Sequence, residues 1–159
     1  MAIDNQEFKN TLKLWASGVS VVTAQSEGGE LGMTATSFAS VSMDPPQILV
    51  CLHETTETGA AILESKKFAV NILTTAQEQV SNQFAGGISM AERFKNVAWH
   101  KGDLGMPVLD ESLASMECTV VQQFKAGTHW IVVGEIQNSQ CKTGEPLLYF
   151  NSAYQQIAS

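Results

Sequence analysis

Residues 32–46 read Gly32-Met33-Thr34-Ala35-Thr36-Ser37-Phe38-Ala39-Ser40-Val41-Ser42-Met43-Asp44-Pro45-Pro46. Hydroxyls at Thr34, Thr36, Ser37, Ser40 and Ser42 lie between small apolar residues, and the proline pair punctuates the run. Gln47 to Leu52 then forms a short apolar run of strand length. Two readings of the hydroxyls are open. They line an edge strand and face water, or they make a polar wall for a flat heteroaromatic ligand. Such a ligand needs short donors and acceptors at its rim and backbone N–H groups that come close.

Outward from this stretch the pattern is mostly β. On its N-terminal side, Asp4 with Glu7 three residues on is a helix-capping signal. Phe8, Leu12 and Trp15 recur at helical intervals as one apolar face, which Ser17-Gly18 terminates. Val19 to Thr23 is a β-branched strand, and Glu27-Gly28-Gly29-Glu30 predicts a hairpin to the Ser/Thr-rich run that extends from Leu31 to Ser42. On the C-terminal side, a short helix is predicted within Thr55 to Glu64, a strand over Phe68 to Leu73 and a helix over Thr75 to Phe84. Gly86-Gly87 stops that helix, and Ile88 to Pro107 reads as a long irregular excursion. Ala114 to Phe124, Trp130 to Ile136 and Leu147 to Phe150 are strands again. Many short strands and few helices, out of strict alternation, predict a mainly β (α+β) antiparallel barrel-like domain across 1–159.

Composition narrows the function. The chain has 159 residues, 44% hydrophobic and 16% charged, with 9 basic against 16 acidic side chains and a net charge of −7. Arg93 is its only arginine. Lys and Arg contacts to phosphate dominate nucleic-acid affinity, so this balance argues against nucleic acid and against an anionic membrane surface. No apolar run reaches the ~18 residues of a membrane span, and the first residues do not read as a signal peptide. Cys51, Cys118 and Cys141 are odd in number and far apart, which predicts buried free thiols in a reducing cytoplasm. The three histidines are too scattered to suggest a metal site.

No G-x-G-x-x-G, Walker loop, nucleophile elbow or H-E-x-x-H is present. Thr55, Thr56 and Thr58 open the short helix after the 47–52 strand, where they cap it or help bind an anion. Glu54 and Glu57 beside them oppose a phosphate. Asn71 is polar within an apolar strand and, if buried, must bond to backbone or to a ligand. His129 stands between Gly127-Thr128 and an apolar strand.

Taken in order, these pieces resemble the short-chain flavin reductase family. The matches are Phe8 with Trp15 to Thr23, Gly32 to Ser42 with Pro45-Pro46, Phe68 to Leu73, Gln77, Ser81, Phe84-Ala85-Gly86, Glu92-Arg93-Phe94 and Pro107-Val108-Leu109. Further on come Glu117-Cys118, Gly127-Thr128-His129, Gly134-Glu135 and Pro146 to Phe150 with Tyr154. They extend over about residues 7–157, and their order and spacing carry the likeness. Ala85-Gly86, Met90, Glu92-Arg93-Phe94 and Gly127-Thr128-His129 look most like reductases paired with 4-hydroxyphenylacetate hydroxylases and with pyrimidine-ring-opening oxygenases.

The resemblance implies an FMN-binding split barrel: a Greek-key antiparallel β-barrel with flanking helices, as a cytoplasmic homodimer. It implies NADH or NADPH reducing FMN or FAD, with reduced flavin supplied to a partner monooxygenase. The flavin would lie across the 34–42 strand, contacted by Thr34, Ala35, Thr36, Ser37, Ser40, Val41 and Ser42. Cys51, Leu52, Thr55, Thr56 and Thr58 would approach its phosphate, with Phe84, Ala85 and Arg93 at the phosphate or its far side. His129 would be the catalytic residue beside the nicotinamide, and Tyr154 would stand where that substrate comes in. Two departures are visible. Thr128 replaces the aspartate common in the Gly-Asp-His motif, and Thr55, Thr56 and Glu57 occupy places where several relatives carry lysine. A flavin-binding carrier or sensor, or a split-barrel flavin oxidase, is the alternative function.

Overall fold

The structure is a computed structural model that describes residues 1–158. Helix α1 (Asn5–Leu12) is capped by the Asp4 carboxylate, which accepts the Glu7 N–H at 2.8 Å. It stops at Leu12 instead of running to Ser17, and none of its residues is buried. Phe8, Leu12 and Trp15 stand exposed, so this apolar face has no cover among the described residues. Ser17–Gly18, expected as a helix stop, is strand β1.

β2 (Ser20–Ser26) and β3 (Gly29–Ala35) form the predicted hairpin, closed at the Ser26–Gly29 pair, with Gly29 at φ +121°. Leu31 to Ser42 is not one strand. It breaks at Thr36-Ser37, and β4 (Phe38–Met43) then pairs with β5 (Pro46–His53) across a bulge at Val41. Next come α2 (Glu57–Ser65), β6 (Lys67–Ile72), a 3₁₀ turn at Thr75–Gln77 and α3 (Glu78–Phe84). The excursion over 88–107 is more ordered than its pattern suggested. It holds α4 (Met90–Phe94) and β7 (Trp99–Lys101), which pairs with β8 (Pro107–Leu109). The Gln83 amide donates to the carbonyls of Glu92, Arg93 and Lys95 and fastens α4 to α3. The long strands β9 (Ala114–Ala126) and β10 (His129–Cys141) follow. The last predicted strand is a hairpin, β11 (Leu148–Phe150) with β12 (Ala153–Gln155), and β11 also pairs with β1.

The main sheet has seven antiparallel strands in the order β3-β2-β6-β9-β10-β5-β4. Its two edge strands, β3 and β4, are consecutive in the chain and separated only by Thr36 and Ser37. Three Cα steps span at most about 11 Å, so the sheet must curl until its edges meet at Thr36. That makes a barrel, and it stays split because β3 and β4 do not pair.

β2 is buried on both faces from Ser20 to Ala24, which is why its residues do not alternate between apolar and polar. Val22 and Ala24 join Val50, Leu52, Phe68, Val70, Cys118 and Val132 inside the barrel, with Ile62 of α2 packed in. Val19 and Val21 turn the other way, toward Leu73, Phe84, Phe94, Leu109 and Leu147. Gly32 allows α3 to press onto β3, since a Cβ there would lie 2.6 Å from the Phe84 ring.

Candidate functional site

Three adjoining hollows meet at Thr36, on the link between the two sheet edges. The largest, about 660 Å³, lies between α1 and the β4–β5 edge, with Phe8, Leu12, Trp15, Ser37, Phe38 and Cys51 in its wall. The second, about 400 Å³, runs between β3, α3 and the C-terminal hairpin, past Thr34, Ser81, Asn82, Ala85, Ser152 and Tyr154. The third, about 310 Å³, continues under Trp15 toward Gly18 and Ile72. The result is a groove at the barrel split. Its walls are aromatic or aliphatic, and short hydroxyls line its floor.

Local bonds set those hydroxyls. Thr34 donates to the Ser81 carbonyl at 2.6 Å, and Ser37 donates to the Cys51 carbonyl at 2.9 Å. Thr36 is exposed and makes no side-chain hydrogen bond among the described residues. The Tyr154 hydroxyl lies 2.7 Å from Ser81 Oγ and donates to Asn82 Oδ1 at 2.9 Å, which ties the hairpin to α3. Burial pushes the Cys51 thiol above its usual range.

Of the residues singled out in the sequence, Thr34, Thr36, Ser37, Cys51, Ala85 and Tyr154 line this groove. Ser40, Val41 and Ser42 do not, because they follow β4 away along the sheet edge. Ala35, Leu52 and Phe84 turn their side chains into the interior and leave only backbone for a ligand. Thr58 corrects an expectation. Its hydroxyl is fully buried in α2 without a partner, so it cannot reach an anion in solvent. Thr56 is the α2 N-cap: its hydroxyl accepts from Gly59 N–H and donates to the His53 carbonyl, so both of its uses are local. Thr55 is engaged with His53. Trp15, Phe38, Tyr149 and Ser152 line the groove and were not singled out for it. The spacing of Trp15 places it on the apolar face of the first helix, and Leu147 to Phe150 reads as a single strand.

Arg93 sits on α4, its Nη1 donating to the Gly32 carbonyl at 2.8 Å and the Phe84 carbonyl at 3.4 Å. Its Nε is buried and unpaired. His129 opens β10 as the register partner of His53, and Ile131 pairs with Cys51. Side chains alternate along a strand, so His129 lies on the same sheet face as Cys51, two residues further along. A separate polar cavity of about 270 Å³ surrounds buried Glu117, whose Oε1 accepts the N–H groups of Leu104 and Met106. That carboxylate holds the 102–106 turn.

Comparison with known proteins gives this groove a context. The family description "Flavin reductase like domain" matches residues 12–158. The chain belongs to the flavin reductase like family. The reductase component of 4-nitrophenol 4-monooxygenase/4-nitrocatechol 2-monooxygenase from Rhodococcus opacus is 38% identical over 152 residues, 96% of this chain and 80% of the relative. The FMN reductase (NADH) RutF of Pseudomonas syringae is 33% identical over 159 residues, 99% of this chain and 89% of the relative. Among solved structures, the NADH:FAD oxidoreductase SgcE6 of Streptomyces globisporus, in complex with NAD and FAD fragments, superposes with a TM-score of 0.91 at 27% identity. That match covers 99% of this chain and 97% of the other.

The flavin reductase groove fits a flavin on its own terms. A three-ring heteroaromatic needs a slot with apolar faces and donors at one rim. Trp15, Leu12 and Phe38 supply apolar wall, and Thr36 supplies a hydroxyl with no internal partner. A ligand phosphate needs a donor at the groove's end, and Arg93 Nη2 stands beside Gly86, next to Ala85 of the wall. No helix of the described residues is long and apolar enough to cross a membrane.

Proposed function

We propose that this protein uses NADH or NADPH to reduce FMN or FAD held in the Thr36 groove, and passes the reduced flavin to a partner monooxygenase. The carrying observation is the position of the groove: it lies where the two edges of the split sheet meet, with an unpaired hydroxyl on its floor and aromatic side chains in its wall. The relatives are reductases of this kind by name, and NADH is the donor named for the FMN reductase RutF.

When bound, the flavin supplies the hydride-accepting chemistry and the reduced nicotinamide supplies the hydride. The chain's own groups bind and orient. Thr36 and Ser37 address the rim of the ring system, while Trp15 and Phe38 shield it from water. The Ala85–Gly87 backbone and Arg93 take the phosphate end, in place of the Thr55–Thr58 loop, whose Thr55 and Thr56 hydroxyls are engaged locally and whose Thr58 hydroxyl is buried. His129 faces the nicotinamide, along the sheet face that Cys51 shares. Net charge −7 leaves Arg93 as the only arginine near an anionic ligand, which favours flavin that exchanges over flavin held permanently.

A second copy of the chain is the proposed cover for the exposed apolar side chains of α1 and of the sheet's outer face, Val121 and Phe124 among them. Sedimentation at micromolar concentration tests that homodimer. The function is tested by mixing protein, FMN and NADH without oxygen. Rapid bleaching of the yellow flavin is expected. Bound flavin that stays yellow points to a carrier or sensor, and bleaching only by an added amine points to an oxidase.

A further inference from the structure

His129 does not stand alone at the end of the β5–β10 ladder. It is the register partner of His53, the last residue of β5. The two ring centroids are 5.0 Å apart with planes at 81°, an edge-to-face contact favoured between aromatic rings. His53 is itself anchored. The Thr55 N–H donates to its Nδ1 at 3.3 Å, and the Thr55 hydroxyl lies 2.9 Å from the same nitrogen. An accepting Nδ1 leaves the hydrogen of the neutral ring on Nε2.

Among the described residues, the side-chain hydrogen-bonding neighbour of His129 is Thr128, whose Oγ1 lies 3.0 Å from Nδ1. The loops that carry the two histidines are also laced together. The Glu54 N–H donates to the Thr128 carbonyl at 2.9 Å, and the Lys125 ammonium pairs with the Glu54 carboxylate. His129 is exposed at a tight turn through Gly127, a setting in which a side chain normally samples several rotamers. The anchored His53 ring removes part of that freedom before any substrate arrives. Fixing a group in its working geometry beforehand is a large source of catalytic advantage.

We propose that His53 is a positioning residue: it holds the His129 imidazole toward the nicotinamide and touches neither flavin nor nicotinamide itself. This rests on the assignment of His129 to the nicotinamide side.

The test compares His53→Ala, His53→Phe, His129→Ala and the double His53→Ala/His129→Ala in the full-length protein. It reads steady-state NADH kinetics, FMN dissociation constants and the His129 ring signals by NMR. His53→Ala is expected to lower kcat/KM for NADH about fivefold, with FMN affinity within about twofold of wild type. It should also shift the His129 ring signals. His53→Phe keeps an edge-to-face partner and should recover most of the rate. The double variant should be no slower than His129→Ala, because residues acting through one another are not additive. Additive losses, or FMN affinity falling as far as kcat/KM, overturn the proposal. If His129→Ala slows NADH turnover and His53→Ala does not, only the role of His53 falls. If His129→Ala itself is silent, the assignment of His129 falls, and the proposal falls with it.

Discussion

Two polar clusters in this molecule are built from the same residue types and end differently. Around Asn71, everything closes on itself. The Asn71 Nδ2 donates to the Val21 carbonyl and to Thr23 Oγ1, while its Oδ1 accepts from Leu109 N–H and Ser115 Oγ. Thr23 in turn donates to the Pro107 carbonyl at 2.5 Å. Asn71 and Thr23 have no solvent exposure. Around Thr36, the hydroxyls sit at a surface hollow and one of them has no internal partner. A polar group saturated by its own chain is architecture: here it pins β8 and its approach to β2 and β6. A polar group left open in a concave, apolar-walled place is available to a ligand. Residue type does not separate the two; saturation does.

The closed cluster around Asn71 is where substitution has the largest expected effect. Asn71→Leu leaves the Leu109 N–H and the Val21 carbonyl buried with a bonding partner gone. It should cost on the order of 3 kcal/mol and lower the melting temperature by roughly 6–12 °C, read by circular dichroism. A change below about 0.5 kcal/mol would show that the network is not structural. At the open end, Thr36→Phe should leave the melting temperature nearly unchanged while blocking the point where the three hollows meet. A loss of FMN affinity of at least about tenfold, or 1.4 kcal/mol, is expected by fluorescence titration. Wild-type affinity would remove the groove as the flavin site.

The thiols sharpen the contrast with smaller effects. Burial pushes the Cys118 thiol up from 9.0 to about 12, with neighbouring Glu117 adding to the rise. A raised thiol pKa means that the folded state holds its proton longer than the unfolded state. Stability from this group is therefore full below pH 9.0 and is lost as pH climbs toward about 12. Cys118→Ala should remove that alkaline slope, at most about 1.4 kcal/mol per pH unit, in urea titrations run across the range. Cys51, in the groove wall, gives the smallest effect. Its alkylation should slow severalfold when FMN is added, while exposed Cys141 labels at an unchanged rate and Cys118 labels only on unfolding. Unchanged Cys51 labelling would place the ligand elsewhere.

Much of the local structure was legible in the residues. Asp4 and Thr56 cap helices as their types and positions suggested. Glu27-Gly28-Gly29 turns a hairpin, and the β-branched runs are strands. Legibility failed where a side chain's fate depends on a distant segment. Trp15 has helical spacing with Phe8 and Leu12, yet the helix ends before it and no described residue covers it. Thr58 reads as one of three hydroxyls for a phosphate, with Thr55 and Thr56, but α2 packing turns it inward. The ordered hairpin of β7 and β8 looked irregular because three-residue strands carry too little periodicity to show.

The residues alone settled the start of α1, the strand character of β2, β5, β6, β9 and β10, and that phosphate handling must make do with one arginine. These follow from local sterics, capping and burial preferences within a few residues. Only the tertiary structure decided that Leu31 to Ser42 divides into the two opposite edges of one sheet, that those edges meet at Thr36, and that His129 finds His53. Strand order and register are pairings between residues far apart in the chain, as between His53 and His129 or between Ser17 and Tyr149. They are set by how the whole apolar surface buries itself, which no local pattern encodes.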